Sequence, residues 1–132
     1  MSESVRVIVR CRPLNKREKT LKCKTAIKVD ESTNQIVLNQ GEGGNQNAPK
    51  CFTFDGTYGD NSKTSTIYAE SAASLVDSVL NGFNATVFAY GQTGCGKSFT
   101  MEGIDLDKDI EENDFAGIIG QCGNCRIVQI RN

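Results

Sequence analysis

Histidine and tryptophan are missing from this 132-residue chain, and proline occurs only twice. Without histidine, Ser-His and Cys-His nucleophilic schemes and Cys₂His₂ zinc sites are excluded. No apolar run approaches the roughly 18 residues that a membrane helix needs, so no membrane partner is expected. The opening "MSESVRVIVR" has no basic stretch followed by an apolar core of signal-peptide length. A cytoplasmic location is expected, and the six cysteines are then expected as reduced thiols. A strong net charge is also lacking: at −1, no global field draws the chain toward nucleic acid. The length allows one domain.

The charges that are present are unevenly spread. Residues 1–30 carry Arg6, Arg10, Arg12, Lys16, Arg17, Lys19, Lys22, Lys24 and Lys28 against Glu3, Glu18 and Asp30. Residues 102–114 carry seven carboxylates against Lys108 alone. Both stretches read as solvated segments.

Periodicity organises the rest. "VRVIVR" (5–10) alternates as a strand partly buried on both faces, and Pro13 follows its end. "REKTLKCK" has no clear period and reads as a loop. "AIKVD" and "QIVLN" read as short strands joined by the turn-rich "ESTN". "QGEGGNQNAPK" has loop composition, and "CFTFDGTY" reads as one strand ending at Gly56. Ile67, Tyr68, Ala72, Leu75, Val76, Val79 and Leu80 recur at helical steps, and Asn81-Gly82 supplies a stop. "ATVFAY" (85–90) is a short continuous apolar run, expected as a strand buried on both faces. A second helix is expected to begin near Lys97.

Between that run and that helix lies "GQTGCGKS", Gly91 to Ser98, of the form G-x-x-x-x-G-K-[ST]. Glycines at 91, 94 and 96 let the main chain wrap closely around an anion, so that successive N–H groups point inward. The N-terminus of the following helix adds unsatisfied N–H groups and a positive dipole end. Lys97 can reach the β- and γ-phosphates, and the Ser98 hydroxyl can ligate Mg²⁺. The expected phosphate-binding set is Gly91, Gln92, Thr93, Gly94, Cys95, Gly96, Lys97 and Ser98.

Three further patterns carry less. Asp114-Phe-Ala-Gly117 matches a phosphate-sensing D-x-x-G, but it lies only 17 residues beyond Lys97 with no strand-like segment between. Cys122 and Cys125 form a lone C-x-x-C that reads as two ordinary thiols. Cys95 lies inside the loop beside a helix start and Lys97, where a thiolate would be favoured electrostatically.

"VRVIVRCRPLNKRE", "FTFDGTY", "VLNGFNATVFAYGQTGCGKSFTMEG" and "AGII" together resemble, in this order, the N-terminal part of the kinesin motor domain, with most likeness to the kinesin-2 group. The resemblance covers about residues 4–119. It implies an α/β P-loop NTPase of the kinesin motor type, truncated to its N-terminal strands, first helix, P-loop strand and following helix. Residues 1–119 would be the N-terminal portion of the motor domain, and 120–132, "GQCGNCRIVQIRN", a divergent C-terminal tail. Arg10, Arg12 and Pro13 then match the family's adenine-side R-x-R-P element, and Phe99 falls where the family puts a residue beside the base. The cofactors implied are ATP and Mg²⁺, and the partners are ATP and microtubules, with a cytoplasmic, microtubule-associated location.

The family's N-x-x-S-S-R and D-L-A-G-x-E switch patterns do not occur in these 132 residues. No catalytic residue is assigned, and whether the chain is itself an enzyme stays open. Two functions follow: an ATP-binding, microtubule-based motor by ancestry, with an incomplete motor domain, or a nucleotide-binding or non-catalytic fragment without motor activity. The resemblance also puts the sheet neighbours of "ATVFAY" later in the family's chain. That run is therefore expected to lack ladder partners here, at about 1–3 kcal/mol for each buried unpaired group.

Overall fold

A computed structural model describes residues 5–39, 48–103 and 117–121. The chain divides into two compact units, Met1–Ser62 and Lys63–Asn132.

In the first unit, β1 (Ile8–Arg10) pairs in parallel with β5 (Gly56–Tyr58). β2 (Ile27–Asp30), β3 (Gln35–Leu38) and β4 (Lys50–Thr53) form an antiparallel meander in the order β2-β3-β4. The β2–β3 pair matches the expected "AIKVD" and "QIVLN" strands, and the turn between them closes with Asn34 at φ 53°. "CFTFDGTY" is not one strand. It splits at Phe54-Asp55 and serves two different sheets. The cause is Asp55, whose N–H donates to the Val7 carbonyl at 3.0 Å and whose Oδ2 accepts the Val7 N–H at 2.7 Å. This two-way clamp draws the chain off the meander and onto β1. β5 is buried throughout, and the Thr57 hydroxyl donates to the Asp30 carbonyl of β2 at 3.1 Å. Ile36 and Tyr58 are the buried apolar residues of this unit.

"REKTLKCK", expected as a loop, opens with helix α1 (Lys16–Thr20). The pattern missed is a capping box. Asn15 Oδ1 accepts the Glu18 N–H at 2.8 Å, and Glu18 Oε2 accepts the Asn15 N–H at 2.8 Å. Local capping therefore starts a helix with no apolar period and no buried residue. Glu18 also receives a fork from Arg12, Nη1 at 2.8 Å and Nη2 at 2.6 Å.

In the second unit, the expected long helix runs as α2 (Thr64–Ile67), a π-helical turn (Tyr68–Ala72) and α3 (Ala73–Leu80), and it stops at Asn81-Gly82. α4 (Lys97–Met101) begins where the sequence places it. α5 (Ile118–Gln121) contacts α2, the π-helical turn and α4. The core here is Ile67, fully buried, with Ala72, Ile118 and Thr64.

The largest departure is at "ATVFAY". Residues 83–90 form no strand, and Phe83, Phe88 and Tyr90 are exposed, Tyr90 at 96%. The expected buried strand is therefore not formed: its apolar pattern is present, but among the described residues nothing pairs with its backbone. A strand inside a parallel sheet depends on neighbours that its own sequence cannot supply. The same lack of cover leaves Leu75, Val79 and Leu80 of α3 exposed. The loop expected within 40–47, the acidic run from Asp105 to Asp114, Cys122 and Cys125, and the tail after residue 121 lie outside the described residues.

Two outcomes test this account. The Arg12 fork, helped by the Asn15 N–H, pulls the Glu18 carboxyl down from 4.5 to about 2. A carboxyl with a lowered folded pKa stabilises fully above its unfolded value and loses that contribution as pH falls through the folded one. Helix α1 should therefore hold its capping contacts down to about pH 2. Arg12→Gln should move the Glu18 titration, followed by carboxyl NMR, back up toward 4.5; an unmoved titration would refute the fork. Ile67→Ala should cost about 2–5 kcal/mol in denaturant unfolding, as for other buried large-to-small changes.

Candidate functional site

Gly91 to Ser98 form a tight turn that enters α4. The Cys95 N–H donates to the Gln92 carbonyl at 3.2 Å, which closes the turn. A Cβ at Gly91 would collide with Cys95 Sγ, so this close approach requires glycine. Gly96 is the helix N-cap at φ 98° and ψ 21°, a left-handed conformation that costs other residues roughly 1–2 kcal/mol. Gly94, at φ 80°, and Gly96 thus place left-handed backbone on either side of Cys95.

Lys97, the first residue of α4, folds back over the loop. Its Nζ donates to the Gly91 carbonyl at 2.8 Å and to the Gln92 carbonyl at 3.0 Å. The ammonium is thus held at the mouth of the turn by two carbonyl dipoles. Gln92, Thr93, Gly94 and Ser98 are exposed, and Cys95, Gly96 and Lys97 are half-buried. α4 continues with the Thr100 N–H donating to the Gly96 carbonyl at 3.0 Å. The first turn of the helix leaves N–H groups with no intrahelical acceptor, and these face the loop where an anion would sit. Phe99 follows on the same helix, 40% exposed.

The far end of α4 is held by residues the sequence reading did not single out as structural. The Glu102 N–H donates to the Ser98 carbonyl at 2.8 Å, and the Gly117 N–H donates to the Glu102 carbonyl at 3.3 Å. Gly117 is buried against the backbone of Met101 and Glu102, and Ile118 is buried beside it. Gly117 was read only as the last residue of Asp114-Phe-Ala-Gly117, whose first three residues lie outside the described residues. The "AGII" string was the one signal for this buttress.

All eight residues expected to bind phosphate lie together in the second unit. Phe99 is beside them, while Arg10, Arg12 and Pro13 belong to the first unit. Arg10 Nη2 donates to the Ser62 carbonyl at 2.8 Å, and burial pushes the Arg10 pKa down. Arg12 is forked onto Glu18, and its Nη1 also donates to the Pro13 carbonyl at 2.9 Å. Both guanidinia thus have structural partners, and Pro13 is exposed. No group of three or more Cys, Asp or Glu side chains stands ready to hold a metal among the described residues. A lone serine hydroxyl fits Mg²⁺ held mainly by water and phosphate oxygens, so Ser98 suits that ion and no protein cage is required.

The family model for the kinesin motor domain matches residues 10–125. Kinesin-like protein KIF3C of Pongo abelii is 41% identical over 109 residues, 83% of this chain. The Mus musculus protein of the same name gives the same values. The chain spans 14% of the length of these curated relatives. Among solved structures, one described as "Structure of a fast kinesin: Implications for ATPase mechanism and interactions with microtubules" superposes with a TM-score of 0.76 at 35% identity. That match covers 90% of this chain and 31% of the other. The glycine turn capped by its own lysine is therefore a P-loop in an α/β fold of the motor type, and the chain belongs to the kinesin motor-domain family.

Proposed function

We propose that this chain supplies the nucleotide phosphate-binding part of a kinesin-type, ATP-driven microtubule motor in the cytoplasmic cytoskeleton. The observation that carries the proposal is Lys97. Its ammonium already sits over the loop, held by two neutral carbonyls at 2.8 and 3.0 Å. Anionic phosphate oxygens are stronger acceptors than neutral carbonyls, so a bound triphosphate draws the same ammonium toward itself. Gly91 to Ser98 then cradle the phosphates, with Gln92, Thr93, Gly94 and Gly96 contributing main-chain N–H groups, while the Cys95 N–H closes the turn. Ser98 would hold Mg²⁺, which neutralises charge on the β- and γ-oxygens when bound. On the base side, Phe99 on α4 offers a flat apolar surface beside the loop. Arg10, Arg12 and Pro13 supply the R-x-R-P element of the base side, its shape held by the Arg10–Ser62 and Arg12–Glu18 contacts.

A second reading is favoured by two observations. The 132 residues contain neither switch pattern, and residues 83–90 have no ladder partner among the described residues. On this reading the chain binds nucleotide without turnover or movement. Microtubule-stimulated ATP hydrolysis by the isolated chain would eliminate it.

Two measurements test the phosphate site. Lys97→Ala should weaken Mg·ATP binding tenfold or more by calorimetry, from about 1.5–3 kcal/mol for hydrogen bonds to a charged group. Equal affinities would remove the site. Alkylation of Cys95 by iodoacetamide, mapped by peptide mass spectrometry, should slow when Mg·ATP is added. Labelling of Cys23, an exposed thiol outside the loop, should be unaffected. An unchanged Cys95 rate would place the thiol outside the nucleotide's reach.

A further inference from the structure

The charge of the first unit is concentrated on one short segment that the phosphate site does not use. Five cations, Lys16, Arg17, Lys19, Lys22 and Lys24, fall within nine residues, and all are exposed. Among the described residues, Lys16, Arg17, Lys19 and Lys22 have no carboxylate partner. Glu18 is the only acid between residues 4 and 29, and its charge is paired with Arg12. Arg12 grips both carboxylate oxygens, at 2.6 and 2.8 Å. The fork therefore commits that one negative charge to Arg12 and not to the neighbouring cations.

The backbone sets the segment up as a projecting corner. The Leu21 N–H donates to the Arg17 carbonyl at 2.9 Å, and the Cys23 N–H to the Glu18 carbonyl at 3.0 Å, closing α1. The closing residue is Lys22 at φ 51°, the left-handed position where helices commonly end on glycine. A lysine is kept there despite a conformational cost of roughly 1–2 kcal/mol. Beside it Leu21 is 65% exposed, an apolar side chain amid the cations. No aromatic residue occurs between residues 5 and 51, so the segment offers no stacking platform for single-stranded nucleic acid. α1 has five residues, too short to lie along a groove of duplex DNA.

We infer that the corner formed by Lys16, Arg17, Lys19 and Lys22 around Leu21 is a docking surface for an acidic polypeptide segment that carries an apolar residue among its carboxylates. Charge complementarity supplies long-range attraction, and Leu21 supplies the apolar contact that fixes the register. The inference does not depend on nucleotide binding at the loop.

The test uses the full chain and a fluorescein-labelled peptide of about ten glutamates with a central leucine, read by anisotropy at an ionic strength low enough that the Debye length exceeds ~10 Å. The combined Lys16→Gln, Arg17→Gln and Lys19→Gln variant should bind about tenfold more weakly, and Leu21→Ser about threefold, since exposed charge pairs are individually weak. A variant with the same loss of charge elsewhere, Lys28→Gln, Lys50→Gln and Lys63→Gln, should change affinity by less than about twofold. With the unaltered protein, carbodiimide crosslinking should join the peptide to Lys19 and Lys22, a readout that needs no variant to fold. Equal weakening by both charge sets, crosslinks scattered over other lysines, or no binding would overturn the inference. So would tighter binding of a single-stranded oligonucleotide of equal charge through the same lysines, which would make the surface a nucleic-acid site.

Discussion

The need of every buried backbone N–H and C=O for a partner governs this molecule more than any side chain does. The phosphate loop is a short irregular stretch, and its geometry depends on what holds it at either end. Downstream, α4 is held firmly: Lys97 ties its start to the loop, and Gly117 and Ile118 secure its end through the Glu102 carbonyl and a buried isoleucine. Upstream, residues 83–90 have the composition of a sheet interior but no ladder among the described residues, and their large side chains face solvent. The loop is therefore shaped locally by glycine conformation and a lysine contact, with one of its two supports provided by packing.

Electrostatics divides its work in the same local way. The cation at the loop rests on carbonyl dipoles, an arrangement weak enough to be exchanged for an anion. Of the two arginines of the R-x-R-P element, Arg12 rests on a stronger partner. Arg12 meets a full carboxylate through two hydrogen bonds, and Arg10 is half-buried against the Ser62 carbonyl. Charge-assisted forks of this kind fix geometry as well as contribute energy. Their position beside the α1 capping box makes Arg12, Asn15 and Glu18 a single clip that sets the end of β1 and the start of the helix. By committing Glu18 to Arg12, the clip leaves Lys16, Arg17, Lys19 and Lys22 with no carboxylate partner among the described residues.

Where the sequence was legible, the structural cause was local. The β2–β3 hairpin followed from two apolar alternations and the polar turn between them. The helix stop at Asn81-Gly82 and the start of α4 after Gly96 followed from residue chemistry at single positions. Where the reading failed, the cause was either a missed local signal or a partner distant in the chain. Asn15 and Glu18 spell a capping box that the aperiodic "REKTLKCK" concealed. Asp55 splits "CFTFDGTY" because it bonds Val7, 48 residues away, which no periodicity reveals. The π-helical turn at Tyr68–Ala72 interrupts a run whose apolar spacing reads as one helix.

The sequence by itself determined the identity of the site. Eight consecutive residues dictate a tight glycine turn with a lysine at its mouth, since the glycines allow its conformation and Lys97 supplies its charge, both properties of residues close in the chain. It also determined the family, through strings long enough to be specific. The tertiary structure alone decided which groups are committed elsewhere. That Arg12 belongs to Glu18, that Lys97 rests on Gly91 and Gln92, that Gly117 props Glu102, and that residues 85–90 find no ladder among the described residues are facts about pairing. Pairing depends on which groups folding brings within about 3 Å of each other, a distance that sequence order does not encode.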